Sequence, residues 1–173
     1  AITLSALFSL NSGENSNILI LSSDHLINDE QKFKEIIKLG SKYSNAGRLV
    51  TFGVIPYSPE TGYGYIESEN TLCNSVPKGE NIKRFIEKPN LREAEKLLKK
   101  KSFSWNSGIF IFKAKTFLEE INKFNPSIYR CCEKALEEIQ FDLDFIRVRK
   151  NHFQDCPVIS IDFAVLEKTS LGT

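Results

Sequence analysis

The apolar residues of this chain keep changing period, and that alternation limits the folds open to it more than any other feature. Continuous apolar runs of strand length occupy residues 18–21, 49–55 and 109–112, and between them apolar side chains recur every three or four positions. Runs of the first kind suit strands buried on both faces, and the spacing of the second suits helices with one buried stripe. Strands alternating with helices predict a layered α/β fold.

The alternation can be followed along the chain. The run at 18–21 ends in Ser22, Ser23, Asp24 and His25. From Asp29 onward, Phe33, Ile36, Ile37, Gly40 and Tyr43 share a helical face, with acids early and Lys42 late as the helix dipole prefers. The run at 49–55 leads into a loop, 56–64, that carries two prolines and two glycines and so has a defined shape, and a strand resumes at 65–67. The polar stretch between Ser68 and Asn81 is expected to be a surface hairpin tip. Residues 82–86 alternate apolar and basic and end in Glu87, Lys88 and Pro89. Asn90 with Glu93 then predicts a capping box for a helix burying Leu91, Ala94, Leu97 and Leu98. Lys99, Lys100 and Lys101 close that helix as a solvated cationic end, which calls for no nucleic acid. The segment Ser104, Trp105, Asn106, Ser107, Gly108 precedes the strand at 109–112. Two helices follow, one through Phe117, Leu118, Ile121 and Phe124 that stops at Asn125 and Pro126, the next through Ile128, Cys132, Ala135, Leu136 and Ile139. A last strand is expected at 158–161, ending in Asp162. With no repeat and no linker, residues 1–173 read as one domain.

Composition agrees with a globular chain. Of 173 residues 41% are hydrophobic and 26% charged, with a net charge of +1, which excludes disorder and polyelectrolyte binding. No apolar run approaches the roughly 20 residues of a spanning helix, and no basic leader precedes an apolar stretch. Cys73, Cys131, Cys132 and Cys156 show no Cys-x-x-Cys spacing, so a reducing compartment is the default and nothing points to zinc. The chain contains no methionine, opens on Leu4, Leu7 and Phe8 without a capping residue, and closes on a helix-like segment beginning at Ala164, Val165 and Leu166. It therefore reads as a portion of a longer protein.

Several strands end in polar, acidic or glycine-bearing segments, and ligands of open α/β sheets bind beyond such ends. Asp24, directly after a strand, suits a hard cation such as Mg²⁺, or it caps the next helix. His25 either donates to a phosphate or packs. Glu87 and Lys88 set opposite charges side by side, fit for sugar hydroxyls and phosphate or for a surface ion pair. Gly62 and Gly64 flank Tyr63 and admit either a close ligand or a tight turn. Trp105 and Asn106 can meet a sugar ring, or form a core indole and a turn.

Taken in order, Ser-Ser-Asp-His-Leu-Ile (22–27), Phe-Gly-Val-Ile-Pro-Tyr-Ser-Pro-Glu-Thr-Gly-Tyr-Gly-Tyr-Ile-Glu (52–67), Phe-Ile-Glu-Lys-Pro (85–89), Trp-Asn-Ser-Gly-Ile-Phe (105–110) and Ser-Ile-Asp-Phe-Ala-Val-Leu-Glu-Lys (160–168) resemble the mannose-1-phosphate guanylyltransferases over nearly the whole chain. The segment 59–67 is the most specific; Glu87-Lys88-Pro89 is common to many sugar-phosphate nucleotidyltransferases. One departure is Ser22-Ser23, where the family usually has Pro-Ala.

The resemblance implies a Rossmann-like, mixed, mostly parallel sheet flanked by helices, the nucleotide-diphospho-sugar transferase fold in truncated form. It implies transfer of a guanylyl group from GTP to mannose 1-phosphate in the cytoplasm, with Mg²⁺ as cofactor, no nucleic acid or membrane as partner, and room for assembly with copies of itself. By the same resemblance Asp24 would bind the metal and, with Lys88, carry catalysis. Gly62, Tyr63, Gly64, Glu87, Lys88, Asn106 and Asp162 would bind substrate, Glu87 at hydroxyls and Lys88 at phosphate. The family's glycine-rich nucleotide loop is expected before Ala1 and a second metal-binding Asp after Thr173. These 173 residues would then supply the sugar-phosphate half-site and be inactive alone. Two other functions fit the same residues: a relative using another hexose 1-phosphate or nucleoside triphosphate, and a non-catalytic module that keeps only the sugar pocket.

Overall fold

A computed structural model describes residues 1–73, 77–148 and 150–173, apart from the side chains of Lys150 and His152. The expected hairpin tip between Ser68 and Asn81 includes residues 74–76, which lie outside the described residues. The chain divides into two compact units, Leu19–Phe112 with Ser170–Thr173, and Ala1–Ile18 with Lys113–Thr169.

The first of these units is built on a sheet. Its strands are β1 (Asn17–Ile20, whose second half lies in the unit), β2 (Val50–Val54), β3 (Tyr65–Ser68), β4 (Ile82–Ile86) and β5 (Phe103–Lys113). Its helices are α2 (Glu30–Asn45) and α3 (Leu91–Leu98). Both helices begin where the sequence signals place them. The Asp29 carboxylate accepts from Lys32 N–H at 2.9 Å and the Asn90 side chain accepts from Glu93 N–H at 3.0 Å, each satisfying a donor that the first helical turn leaves open.

The strands run in the order β1-β5-β3-β4, with β2 also on β5, and the ladders β2·β5, β3·β4 and β3·β5 are antiparallel. The α/β class stands, but these ladders correct the expectation of a mostly parallel sheet. β1 and β2 flank α2 in sequence, yet both pair with β5 and not with each other. β3 and β4, in turn, are neighbours in sequence that return on one another as antiparallel partners. Short apolar runs report burial and carry no information about strand direction. Parallel pairing does occur where the far end of the chain returns. Leu49 bridges Gly172 in parallel, with Leu49 N–H on Leu171 O at 3.0 Å and Thr51 N–H on Thr173 O at 2.9 Å. Arg48 clasps the same segment, Nε on Thr173 Oγ1 at 2.7 Å and Nη2 on Gly172 O at 2.8 Å.

Tyr65, Ala94, Leu97, Phe103 and Trp105 form a buried cluster in this unit, with Ile86 against it. The apolar face of α3 therefore lies on the β3–β5 part of the sheet, and burying a side chain such as Leu97 contributes about 2 kcal/mol.

The second unit is mainly helical. It holds α1 (Ile2–Asn11), α4 (Ala114–Phe124), α5 (Pro126–Glu137), the short α6 (Lys150–Phe153), a hairpin of β6 (Gln140–Asp142) and β7 (Phe145–Arg147), and a π-helical turn, Asp162–Leu166. As expected, α1 has no side-chain cap. α4 and α5 share Asn125 as a junction because Pro126 cannot continue a helix but suits its first turn. α1 packs on α4 and α5 and buries Ala6 and Leu7, while Phe117, Leu118, Ile121, Cys132 and Ala135 are buried on the other two. The strand expected at 158–161 does not form. Ser160 O instead accepts from Ala164 N–H at 2.9 Å, drawing the chain into the π turn, and Val158 is left fully exposed.

Candidate functional site

Register brings the predicted residues of the sheet unit together. Tyr65 stands opposite Ile86 on β4 and opposite Trp105 on β5. One step beyond, at the head of β3, the same register sets Gly64 between Glu87 and Asn106, and Asn106 N–H donates to Gly64 O at 2.8 Å. Cross-strand neighbours share a face, so three residues separated by up to 42 positions meet where β3 begins, β4 ends and β5 bulges. The proximity is tight: a Cβ on Gly64 would lie 2.8 Å from Glu87 Oε2 and 3.6 Å from Asn106 Cβ. Only a glycine lets the carboxylate lie there.

Lys88 follows directly, its Nζ 3.7 Å from Glu87 Oε1. Its φ of 43° is left-handed, which costs an L-residue roughly 1–2 kcal/mol. Both side chains are partly solvated, 66% and 35% exposed, so the pair itself contributes little stability. It presents a cation and an acceptor to solvent at the head of the row.

Asn106 is held from two sides. Against β2, Thr51 faces Phe110 and Gly53 faces Asn106, so Phe52 alone stands opposite Ser107, Gly108 and Ile109. This is a bulge of β5, and Gly108 turns it with φ 70°. Inside the bulge Asn106 Oδ1 accepts from Gly108 N–H at 3.1 Å and from the Thr51 hydroxyl at 3.2 Å. The turn-forming role weighed for this asparagine is therefore real. Thr51 gave no sign in the sequence, where it is one more β-branched residue of a strand.

The loop before Gly64 is anchored. Tyr65 Oη donates to Glu60 O at 2.9 Å, and Tyr57 and Tyr63 meet the Trp105 ring edge-on at 4.9 and 5.2 Å. Trp105 is only 5% exposed, so it is the core indole and offers no open face for a sugar to stack on. Tyr63 is half exposed beside it. A Cβ on Gly62 would meet nothing within 4 Å, so its surroundings are open and it does not approach the row.

Asp24 and His25 lie exposed on the loop after β1. Asp24 does not cap α2, since Asp29 does. The same loop approaches the β5 bulge at Ser22, whose Oγ is 3.9 Å from the Cβ position of Gly108. Asp162 opens the π turn of the helical unit and so belongs to the unit that does not contain the row. Among the described residues no three His, Cys, Asp or Glu side chains form a metal cage. An exposed carboxylate such as Asp24 suits a hard cation that keeps most of its water and takes phosphate oxygens, and does not suit a closed protein site. Thiolate chemistry has no support at Cys132, where burial pushes the thiol up to about 12. A groove of about 620 Å³ between α2, β2 and residues 77–80 is lined by none of the predicted site residues.

The sheet unit thus gathers an acid, a lysine and an amide beside one glycine. The Nucleotidyl transferase family profile matches residues 1–152, and the chain belongs to that family. It is 47% identical over 176 residues to mannose-1-phosphate guanylyltransferase 2 of Escherichia coli O157:H7, covering 98% of this chain and 36% of the relative. Among solved structures, mannose-6-phosphate isomerase from Helicobacter pylori superposes with a TM-score of 0.85 at 38% identity, over 99% of this chain and 65% of that one. One described as mannose-1-phosphate geranyltransferase from Thermus thermophilus superposes at 0.80 and 28% identity, over 99% and 47%. The chain thus spans about a third of the length of the curated relatives it matches. Among the described residues no helix is long and apolar enough to cross a membrane.

Proposed function

We propose that this chain carries the sugar-phosphate half-site of a cytoplasmic mannose-1-phosphate guanylyltransferase, and that residues 1–173 are a portion of that nucleotidyltransferase domain. The reaction is attack by a mannose 1-phosphate oxygen on the α-phosphorus of GTP, giving GDP-mannose and pyrophosphate. The observation that carries this reading is the row Gly64–Glu87–Asn106, with Lys88 at its head: an acceptor, an amide and a cation within reach of one small ligand. Glu87 accepts from ring hydroxyls, Asn106 hydrogen-bonds beside it, and Lys88 offsets the charge of the attacking phosphate. Tyr63 and Gly64 line the approach, and Gly62 leaves the loop beside it open. Catalysis of this kind is positioning and charge neutralisation, and needs no protein nucleophile. Asp24 is the residue that would hold Mg²⁺, which when bound supplies charge neutralisation at the phosphates. The names of the relatives supply the sugar; the row supplies the chemistry.

The test is calorimetric titration with mannose 1-phosphate and with glucose 1-phosphate, each with and without Mg²⁺. Mannose 1-phosphate is expected to bind, and Glu87→Ala to abolish binding. Glu119→Ala, an exposed acid on α4, leaves it unchanged. Equal effects of the two substitutions would refute the site.

A further inference from the structure

Thr51 makes a contact that the fold does not require. Its backbone already serves the sheet, N–H on Thr173 O at 2.9 Å, and its hydroxyl stands 3.2 Å from Asn106 Oδ1 and 3.4 Å from Ile109 O. A hydroxyl has one proton, and the shorter contact is the one to the asparagine.

The identity of that asparagine atom follows from its other neighbour. The Gly108 backbone N–H can only donate, so the amide atom 3.1 Å away from it is the oxygen and not the nitrogen. An amide oxygen has two lone pairs, and here Gly108 occupies one and Thr51 the other. Asn106 can then serve a ligand only through Nδ2, as a donor. Glu87, whose Oε2 shares the Gly64 face with Asn106 Cβ, serves as an acceptor when ionised. A sugar hydroxyl between them receives from one and gives to the other, and an arrangement with the amide reversed would set two acceptors against it.

We propose that Thr51 is a positioning residue for phosphosugar recognition: its hydroxyl, with the Gly108 N–H, locks the Asn106 amide as a donor-only group. The proposal rests on the half-site reading above. The bulge is what makes it work, because the extra residues of β5 bring Asn106, four positions from the register partner Phe110 of Thr51, back within reach of that side chain. Such bulges re-aim side chains. Valine at 51 keeps the β-branched shape and removes the donor; the amide torsion is broad, so the amide, still held at Oδ1 by the Gly108 N–H, can rock away from the orientation that serves the ligand.

The experiment compares wild type, Thr51→Val, Thr51→Ser, Asn106→Ala and the double variant Thr51→Val/Asn106→Ala. Titration with mannose 1-phosphate is expected to show about three- to tenfold weaker binding in Thr51→Val. Thr51→Ser should stay within about twofold of wild type, and the double variant should match Asn106→Ala. Melting temperatures serve as the control for folding. Thr51→Val binding as wild type, or weakening Asn106→Ala by the same factor, overturns the proposal. A sugar-free arm separates the two claims. The Asn106 side-chain amide resonances, identified by their loss in Asn106→Ala, should move in Thr51→Val and return in Thr51→Ser. Unmoved resonances end the role of Thr51 alone, whereas a wild type that binds no phosphosugar ends the half-site reading and this inference with it.

Discussion

Replacing Gly64 by alanine probes the row at its tightest point. The new Cβ would stand 2.8 Å from Glu87 Oε2, where ordinary contact begins at 3.4 Å, while Asn106 Cβ at 3.6 Å needs no adjustment. The carboxylate must therefore retreat by roughly 0.6 Å, more than the ~0.5 Å within which a binding group has to be held. Little else has to move. The Glu87 side chain is 35% exposed and has room to swing, and Gly64 is not among the glycines with positive φ. Losing a glycine from the unfolded chain adds about 0.4–1 kcal/mol of stability where the backbone tolerates it. Gly64→Ala is thus expected to melt at or above the wild-type temperature. A hydrogen bond to a charged acceptor is worth about 1.5–3 kcal/mol, so its loss weakens mannose 1-phosphate binding roughly ten- to a hundredfold. Calorimetry and thermal melting on the same sample decide the matter. Undiminished affinity would refute the assignment of Glu87, and a collapse in melting temperature would refute the geometry.

Two further outcomes follow from groups around the sheet. Lys88→Gly relieves a left-handed lysine, so stability by denaturant titration should hold or rise by up to about 1 kcal/mol while phosphosugar affinity falls; a clear loss of stability would show the backbone there to be unstrained. The Arg84 guanidinium, 2.5 Å from Glu67 Oε2, holds that carboxyl below its ordinary 4.5, with Lys83 and Lys100 adding to the effect. Stability from this pair is present above 4.5 and lost as pH falls through the lowered value, so Arg84→Gln should move acid unfolding to higher pH; the stability at stake is less than about 1 kcal/mol because Arg84 is half exposed. Superimposable acid-unfolding curves would contradict it.

Local signals in the sequence proved sound where the physics is local. Asp29 and Asn90 cap the helices they precede, β4 occupies residues 82–86 as expected, and Pro126 starts a helix. Strand direction was not legible, since an apolar run such as 49–55 looks the same whichever way its neighbour runs. Nor was the hairpin β6–β7: each strand has three residues, all exposed, and there is no buried face to impose an alternation. Residues 158–161 misled because, among the described residues, no strand pairs with Val158, Ile159 or Ile161. In the site, Glu87, Lys88, Gly64 and Asn106 were nameable from motif order, but their meeting depends on the register of β3 with β4 and β5. Thr51 was invisible because its role arises from a bulge, a mismatch between two strands that neither strand's own residues announce.

The Arg48 clasp has a consequence for how this chain comes into being on the ribosome. Leu49 and Thr51 take backbone partners at Leu171 and Thr173, some 120 positions later, so the nascent protein must keep the flank of β2 open while all the intervening helices are translated. An open strand edge is a template for unwanted pairing, and contacts between distant residues form slowly. That flank of β2 is closed only once residues 171–173 have left the ribosome.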